Sequence, residues 1–378
     1  MYRMNDNSEI VKLEKCITKE IYSKFNYKFQ SKNHLLIDGY ECLNDDSESK
    51  KVYSSVCIYD WDKDYPFMFV DGVRYISIRC NYPFSIDMLP SSVINLSLIN
   101  YTREFINLPS QLQICYLEIS TYNFILPDTI QILNLHINDT EEIKKRYTFG
   151  YNGYNSFKGV ELFMLPKSLR VLSLSLNTYI ASNLDTILMN LNYLEVLDIR
   201  GSQNIKPNDI FTDLELTEFP ISLKCLYLPW FKLPITNLTD ILMKLSNLET
   251  VDLGCNLVFC LPRKVYKIYT MINEIFEYIP DNVIILHIKP HPFKYNDFIT
   301  NPYLVNTNIR HLIIEPHNYD LHYIPKNLET IVVLETNINK SISEICKTNI
   351  SIKLVKMPDW ESRYDKINFN MSELGKRM

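Results

Sequence analysis

The sequence predicts an α/β solenoid: stacked coils sharing one parallel β-sheet, with short irregular, 3₁₀ or helical segments returning on the convex side. Three observations predict it. One phrase recurs along the chain, as LPSSVINLSL at 89–98, LPDTIQILNL at 126–135, LPKSLRVLSL at 165–174, FPISLKCLYL at 219–228, IPDNVIILHI at 279–288 and IPKNLETIVV at 324–333. Such a repeated supersecondary unit cannot bury its apolar face alone and must stack on its neighbours. Inside each phrase apolar residues stand two apart, which places both on one face of a strand. Finally, an Asn or another polar residue closes many phrases, where it can bond backbone groups as the chain turns away.

Aligned on L-x-x-L-x-L-x-x-N, the stretches 73–81, 130–138, 169–177 and 248–256 fit most closely, ending in Asn81, Asn138, Asn177 and Asn256. Ser120, Ser202, His291, His317 and Thr336 hold that rung in other coils. The first strand position of successive coils falls on Ile76, Leu96, Cys115, Leu133, Leu172, Leu197, Leu226, Val251, Leu286, Leu312 and Ile331. Steps of about 18–20 residues at the ends leave room only for an extended or 3₁₀ return, whereas steps of about 25–29 in the middle can hold a helix. Two such helices are expected. Asn183-Leu-Asp-Thr-Ile-Leu-Met-Asn-Leu carries apolar residues at helical spacing behind a capping Asn183. Its cousin begins at Asn237, 54 positions later, with about nine of 17 residues identical, which points to duplication of a two-coil unit.

These phrases resemble the leucine-rich repeat family. The L-P-x-S-L opening is similar to the FNIP-type repeats of social amoebae and of giant DNA viruses such as mimivirus, and to the LP-type repeats of bacterial secreted effectors. An Asn- and Ile-rich composition with few glycines is closer to the amoebal and viral group. The resemblance covers roughly residues 69–356 and implies a horseshoe with a parallel concave sheet. About eleven coils at ~4.8 Å would line a sheet roughly 50 Å long.

Three segments are expected: 1–68 as an N-terminal cap or small accessory module, 69–356 as the solenoid, and 357–378 as a C-terminal cap or tail. In the first, Ile10, Leu13, Ile17, Ile21 and Phe25 follow an amphipathic helical pattern, and residues 44–51 read as a solvated loop. In the last, Trp360 and Tyr364 are suited to cover the final coil. The doubled step between Leu133 and Leu172 marks an insertion at 139–160. It holds three of the eight glycines together with Tyr147, Phe149, Tyr151 and Tyr154. Insertions on solenoids often carry function, so this is either a projecting binding loop or a degenerate coil.

Composition narrows the function classes. A net charge of −5 gives no general pull toward phosphate backbones, so nucleic acid is not expected as a partner. With so few glycines, phosphate-cradling loops are scarce. The nine cysteines include no C-x-x-C pair, and several stand within repeat strands as small hydrophobes. No signal-peptide core and no long apolar run is present. The reading is a cytoplasmic, monomeric protein (host cytoplasm if viral) without a membrane partner.

Chemistry is sparse. His287, His291, His311, His317 and His322 cluster in sequence. The two on the closing rung, His291 and His317, could share a Zn²⁺ with His311 or Glu315. Their reading as hydrogen-bonding rungs is simpler, and no metal or cofactor is expected. No G-x-S-x-G elbow occurs, and the last cysteine, Cys346, sits at a coil edge. The ubiquitin-ligase domain that follows LP-type coils in bacterial effectors therefore does not carry over. Asp198 and Asp252 are expected to face solvent on the sheet, serving recognition or solubility rather than acid–base work.

What remains is surface. The residue between the two strand leucines is expected to line the concave face, which gives Ser77, Ser97, Tyr116, Asn134, Ser173, Asp198, Tyr227, Asp252 and His287 in order, with Trp230 just beyond and Ile313 and Val332 toward the end. Tyr and Trp are frequent interface anchors. Two functions fit. One is a non-enzymatic scaffold that binds a protein on the concave face through Tyr116, Asn134, Ser173, Asp198, Tyr227, Trp230, Asp252 and His287. The other, implied by relatives that pair such coils with an F-box, is a ubiquitin-ligase substrate adaptor with residues 1–68 as a divergent F-box-like module. Residues 10–25 lack the L-P-x-E opening of an F-box.

Overall fold

In the computed structural model the chain builds one open sheet of fifteen strands, hydrogen-bonded in strict sequence order. Every pairing is parallel. The residues described are 34–38, 55–61, 72–80, 89–101, 108–119, 125–137, 165–175, 184–200, 216–229, 233, 235, 237–271, 279–289, 302–314, 323–333 and 353–356. This order, each strand beside its sequence neighbours only, is the topology of a solenoid-like repeat.

The sheet starts with β1 (His34–Asp38), β2 (Ser55–Trp61), β3 (Tyr75–Cys80), β4 (Asn95–Tyr101) and β5 (Ile114–Ile119). It continues through β6 (Ile132–Ile137), β7 (Val171–Leu174), β8 (Val196–Asp198), β9 (Cys225–Tyr227) and β10 (Thr250–Asp252). It closes with β11 (Lys267–Thr270), β12 (Ile285–Ile288), β13 (His311–Ile314), β14 (Thr330–Val333) and β15 (Lys353–Lys356). Two short helices, α1 (Leu184–Leu188) and α2 (Leu238–Met243), and a 3₁₀ turn at Pro302–Asn306 lie between strands. The helices occupy the duplicated segments but span only five and six residues. Asn237 stands at the start of α2 without a side-chain cap bond, and Asn183 lies outside the described residues.

The anchors expected from sequence do form one column across the sheet. Ile76 pairs with Leu96, then Cys115, Leu133, Leu172, Leu197, Leu226 and Val251 in turn. Burial pushes the Cys115 thiol up, as expected of a small hydrophobe in a leucine site. Leu133 pairs directly with Leu172, so the doubled step is one coil; its inserted residues 139–160 lie outside the described set.

Between Val251 and Leu286 the sequence reading passes straight over a coil. The structure places β11 there, with Ile268 paired to both. Its phrase, Leu261-Pro262-Arg-Lys-Val265, opens like the others. The strand escapes notice because Thr270 takes the second core position, where it is fully buried, and Lys267 and Tyr269 fill the outward ones.

The phrase has a physical explanation. Its proline carbonyl accepts the N–H three residues on, closing a turn that aims the chain into the strand, at Pro90, Pro109, Pro127, Pro166, Pro220, Pro262, Pro280 and Pro325. Leu191 and Leu245 make the same turn without proline. There the N–H of the turn's first residue is needed, because Leu191 donates to Leu188 and Leu245 to Leu242 at the end of each helix. Proline has no N–H to give. In four coils a hydroxyl two residues after the turn's start ties the coil to the one before: Ser92 to the Val73 carbonyl at 2.8 Å, Thr129 to Leu112 at 2.7 Å, Ser168 to Ile130 at 2.6 Å and Ser222 to Leu194 at 2.7 Å.

One continuous apolar core runs from Val73 to Ile331 along the inner side of the strands. Where Asn256 closes its phrase it performs the expected task, accepting the buried Leu233 N–H at 2.7 Å and donating to the Leu253 carbonyl at 2.9 Å. Asn81, Asn138 and Asn177, and the alternative rungs Ser120, Ser202, His291, His317 and Thr336, lie outside the described residues.

Candidate functional site: the outward face of the sheet

Alternation along each strand gives the sheet a second face, opposite the core. The residues between the paired leucines align there as expected: Ser77, Ser97, Tyr116, Asn134, Ser173, Asp198, Tyr227 and Asp252 stand in register. The row continues through Tyr269, absent from the sequence-based list, to His287, Ile313 and Val332.

The two halves of this face differ. Around β5 to β7 it is half-buried and polar: Tyr116, Glu118, Asn134, His136, Ser173 and Ser175 all keep partial solvent access. His136 Nδ1 and the Ser175 hydroxyl contact each other. The Tyr116 hydroxyl is pushed up to about 12 by burial and by the nearby Glu118 charge. Beside the row, Ile114, Ile132, Val171, Val196 and Cys225 form an apolar ladder against which Tyr227 packs.

From β8 onward the face closes. Asp198 is 6 % exposed, Asp252 and His287 1 %, Ile313 4 % and Val332 2 %. The expectation that Asp198 and Asp252 face solvent is therefore wrong. The reason is an ion cluster that no local pattern announces. The Arg200 guanidinium forks onto Asp198, with Nε at 3.1 Å from Oδ1 and Nη2 at 2.8 Å from Oδ2, and the Arg200 N–H donates to Oδ1 at 3.0 Å. Asp252 Oδ2 accepts from Lys289 Nζ at 2.7 Å and lies 3.9 Å from Arg200 Nη1. Its Oδ1 accepts the Gly254 N–H at 3.1 Å. Gly254 holds φ at 53°, the left-handed region that suits glycine.

Aromatic rings fill the space between these charges. Arg200 lies 4.7 Å from the centre of the Tyr227 ring, and Lys267 and Lys289 each lie 4.6 Å from that of Tyr269. Tyr269 stacks obliquely on His287 at 4.8 Å. Burial alone would raise the Asp252 carboxyl, but the Lys289 and Arg200 charges and the two hydrogen bonds hold it below the usual range. For Arg200, burial opposes the charge, yet Asp198 and Asp252 outweigh it and keep the guanidinium protonated.

Ile313 and Val332 pack with Ile285 as a small apolar cluster, so that end of the row is covered rather than exposed. Trp230 and the insertion aromatics Tyr147, Phe149, Tyr151 and Tyr154 lie outside the described residues, as do His291, Glu315, His317 and His322. Among the described residues no three His, Cys, Asp or Glu side chains are grouped to hold a metal ion, and no helix is long and apolar enough to cross a membrane. Compared with protein-family models the chain matches none, and no curated protein matches it. Its class rests on the architecture: a solenoid-like stack of parallel coils with one polar, partly accessible sheet face.

Proposed function

We propose that the chain is a non-enzymatic scaffold of the leucine-rich repeat type, which binds a protein partner on the outward face of its sheet. The observation that carries this reading is the in-register row Tyr116, Asn134 and Ser173, flanked by Glu118, His136 and Ser175, which stays accessible on rigid neighbouring strands. Side chains fixed on strands lose little freedom when a partner docks, which favours recognition. The buried half of the face, with Asp198, Asp252 and His287, then acts as support. This moves the expected footprint toward the N-terminal coils.

The adaptor reading is weaker. β1 and β2 lie inside 1–68 and continue the sheet in register with β3, whereas a ligase-recruiting module would pack as a separate helical unit. Affinity capture with the purified full chain tests the scaffold reading, run beside a Tyr116→Ala/Asn134→Ala/His136→Ala variant. The expected result is loss of specific partners from the variant; partners retained equally by both forms would refute it.

A further inference from the structure

We propose that Asp252 is a latch that locks the coils of β8, β10 and β12 into one cooperative unit within an otherwise neighbour-to-neighbour stack. In a solenoid each coil touches only the next, so protection against opening normally falls off coil by coil. The other side-chain bonds named above obey this rule: Thr129 to Leu112, Ser168 to Ile130 and Ser222 to Leu194 each join adjacent coils. Asp252 does not. It sits on β10, yet it grips Lys289 at the end of β12 and approaches Arg200 at the end of β8. Both partners are two strands away, roughly 10 Å of sheet on either side, a span that only long Lys and Arg side chains can cross.

The strands between are held by the same groups. β9 contributes Tyr227 beneath Arg200, and β11 contributes Tyr269 beside Lys289. Among the described residues, Arg200 and Lys289 face Asp252 directly, and Asp198 on β8, Tyr227 on β9, Lys267 and Tyr269 on β11 and His287 on β12 share its side of the sheet. Opening β8, β10 or β12 parts Asp252 from at least one of its cations, and β9 and β11 lie between those strands. A buried charge left without its partner is strongly unfavourable, so the five open together or not at all.

Native-state hydrogen exchange on the full chain, read by mass spectrometry, tests the latch. In the wild type, peptides covering β8 to β12 should share one protection level, distinct from those of β4 to β6. In Asp252→Asn the shared level should split, with β8 and β12 exchanging at least tenfold faster and β4 to β6 unchanged. Should that variant not fold, Lys289→Met cuts one arm alone: β12 should uncouple while β8 to β10 stay together. A graded wild-type profile across β8 to β12 would overturn the proposal. So would either variant accelerating every coil alike.

Discussion

Exchanging Asp252 for asparagine gives the sharpest stability test, because two incompatible environments predict different magnitudes. On a solvated sheet face the change would cost within about 0.5 kcal/mol. In the observed site, 1 % exposed, with Lys289 at 2.7 Å and Arg200 at 3.9 Å, the amide keeps the shape but removes the charge. The buried Lys289 ammonium then loses the carboxylate charge at 2.7 Å, and the expected loss is about 3–5 kcal/mol. Lys289→Met should cost a similar amount, leaving Asp252 with Arg200 and the Gly254 N–H. The double variant Asp252→Leu/Lys289→Met should be less destabilised than either single one, since no charge is stranded. Urea midpoints read the four proteins at pH 7. The sign with pH follows from the lowered carboxyl: its stabilisation is present above the unfolded value of about 3.9 and lost as pH falls through the lower folded value. The gap between wild type and Asp252→Asn should therefore close only in acid. Additive losses in the double variant, or a gap unchanged between pH 7 and pH 3, would refute the buried latch.

Other outcomes follow from the same geometry. Leu226→Ala removes a fully buried side chain paired between Leu197 and Val251; the expected cost is about 3–4 kcal/mol in urea midpoint experiments. Ser168→Ala deletes a rung bond to the Ile130 carbonyl and should cost about 1 kcal/mol, with faster exchange confined to β6 and β7. Pro166→Ala keeps the turn's carbonyl acceptor and should cost under about 1 kcal/mol, whereas Leu191→Pro deletes the N–H that ends α1 and should cost about 3 kcal/mol. Thermal melts separate that pair.

The apolar ladder was legible because it is local: leucines two apart and a proline turn repeat within ten residues, so the column from Ile76 to Ile331 could be written from sequence save for Ile268. That coil hid behind Thr270, a polar residue in a core position. The outward row was also legible in register, because alternation fixes it once the anchors are known. Its burial was not. Asp252 is taken out of water by Lys289, 37 residues away, and by Arg200 two coils earlier, and no window of sequence holds all three. Strand periodicity reports which face a residue takes. It does not report how crowded that face becomes when long side chains from several coils converge on it.

The proline turns and hydroxyl rungs also bear on how such a chain changes length. The joints before β8 and β10 are closed by the same backbone bonds, Leu194 N–H to the Leu191 carbonyl and Leu248 N–H to the Leu245 carbonyl, so the two are interchangeable. α1 and α2 mark that equivalence, 54 residues apart. A two-coil unit can therefore be copied or excised in frame with every turn and rung re-forming across the new boundary. The exception is the reach of Asp252, which counts coils. A protein that lost the unit between α1 and α2 would keep its wall, but Asp252 would lose Arg200 and keep only Lys289 of its two cations.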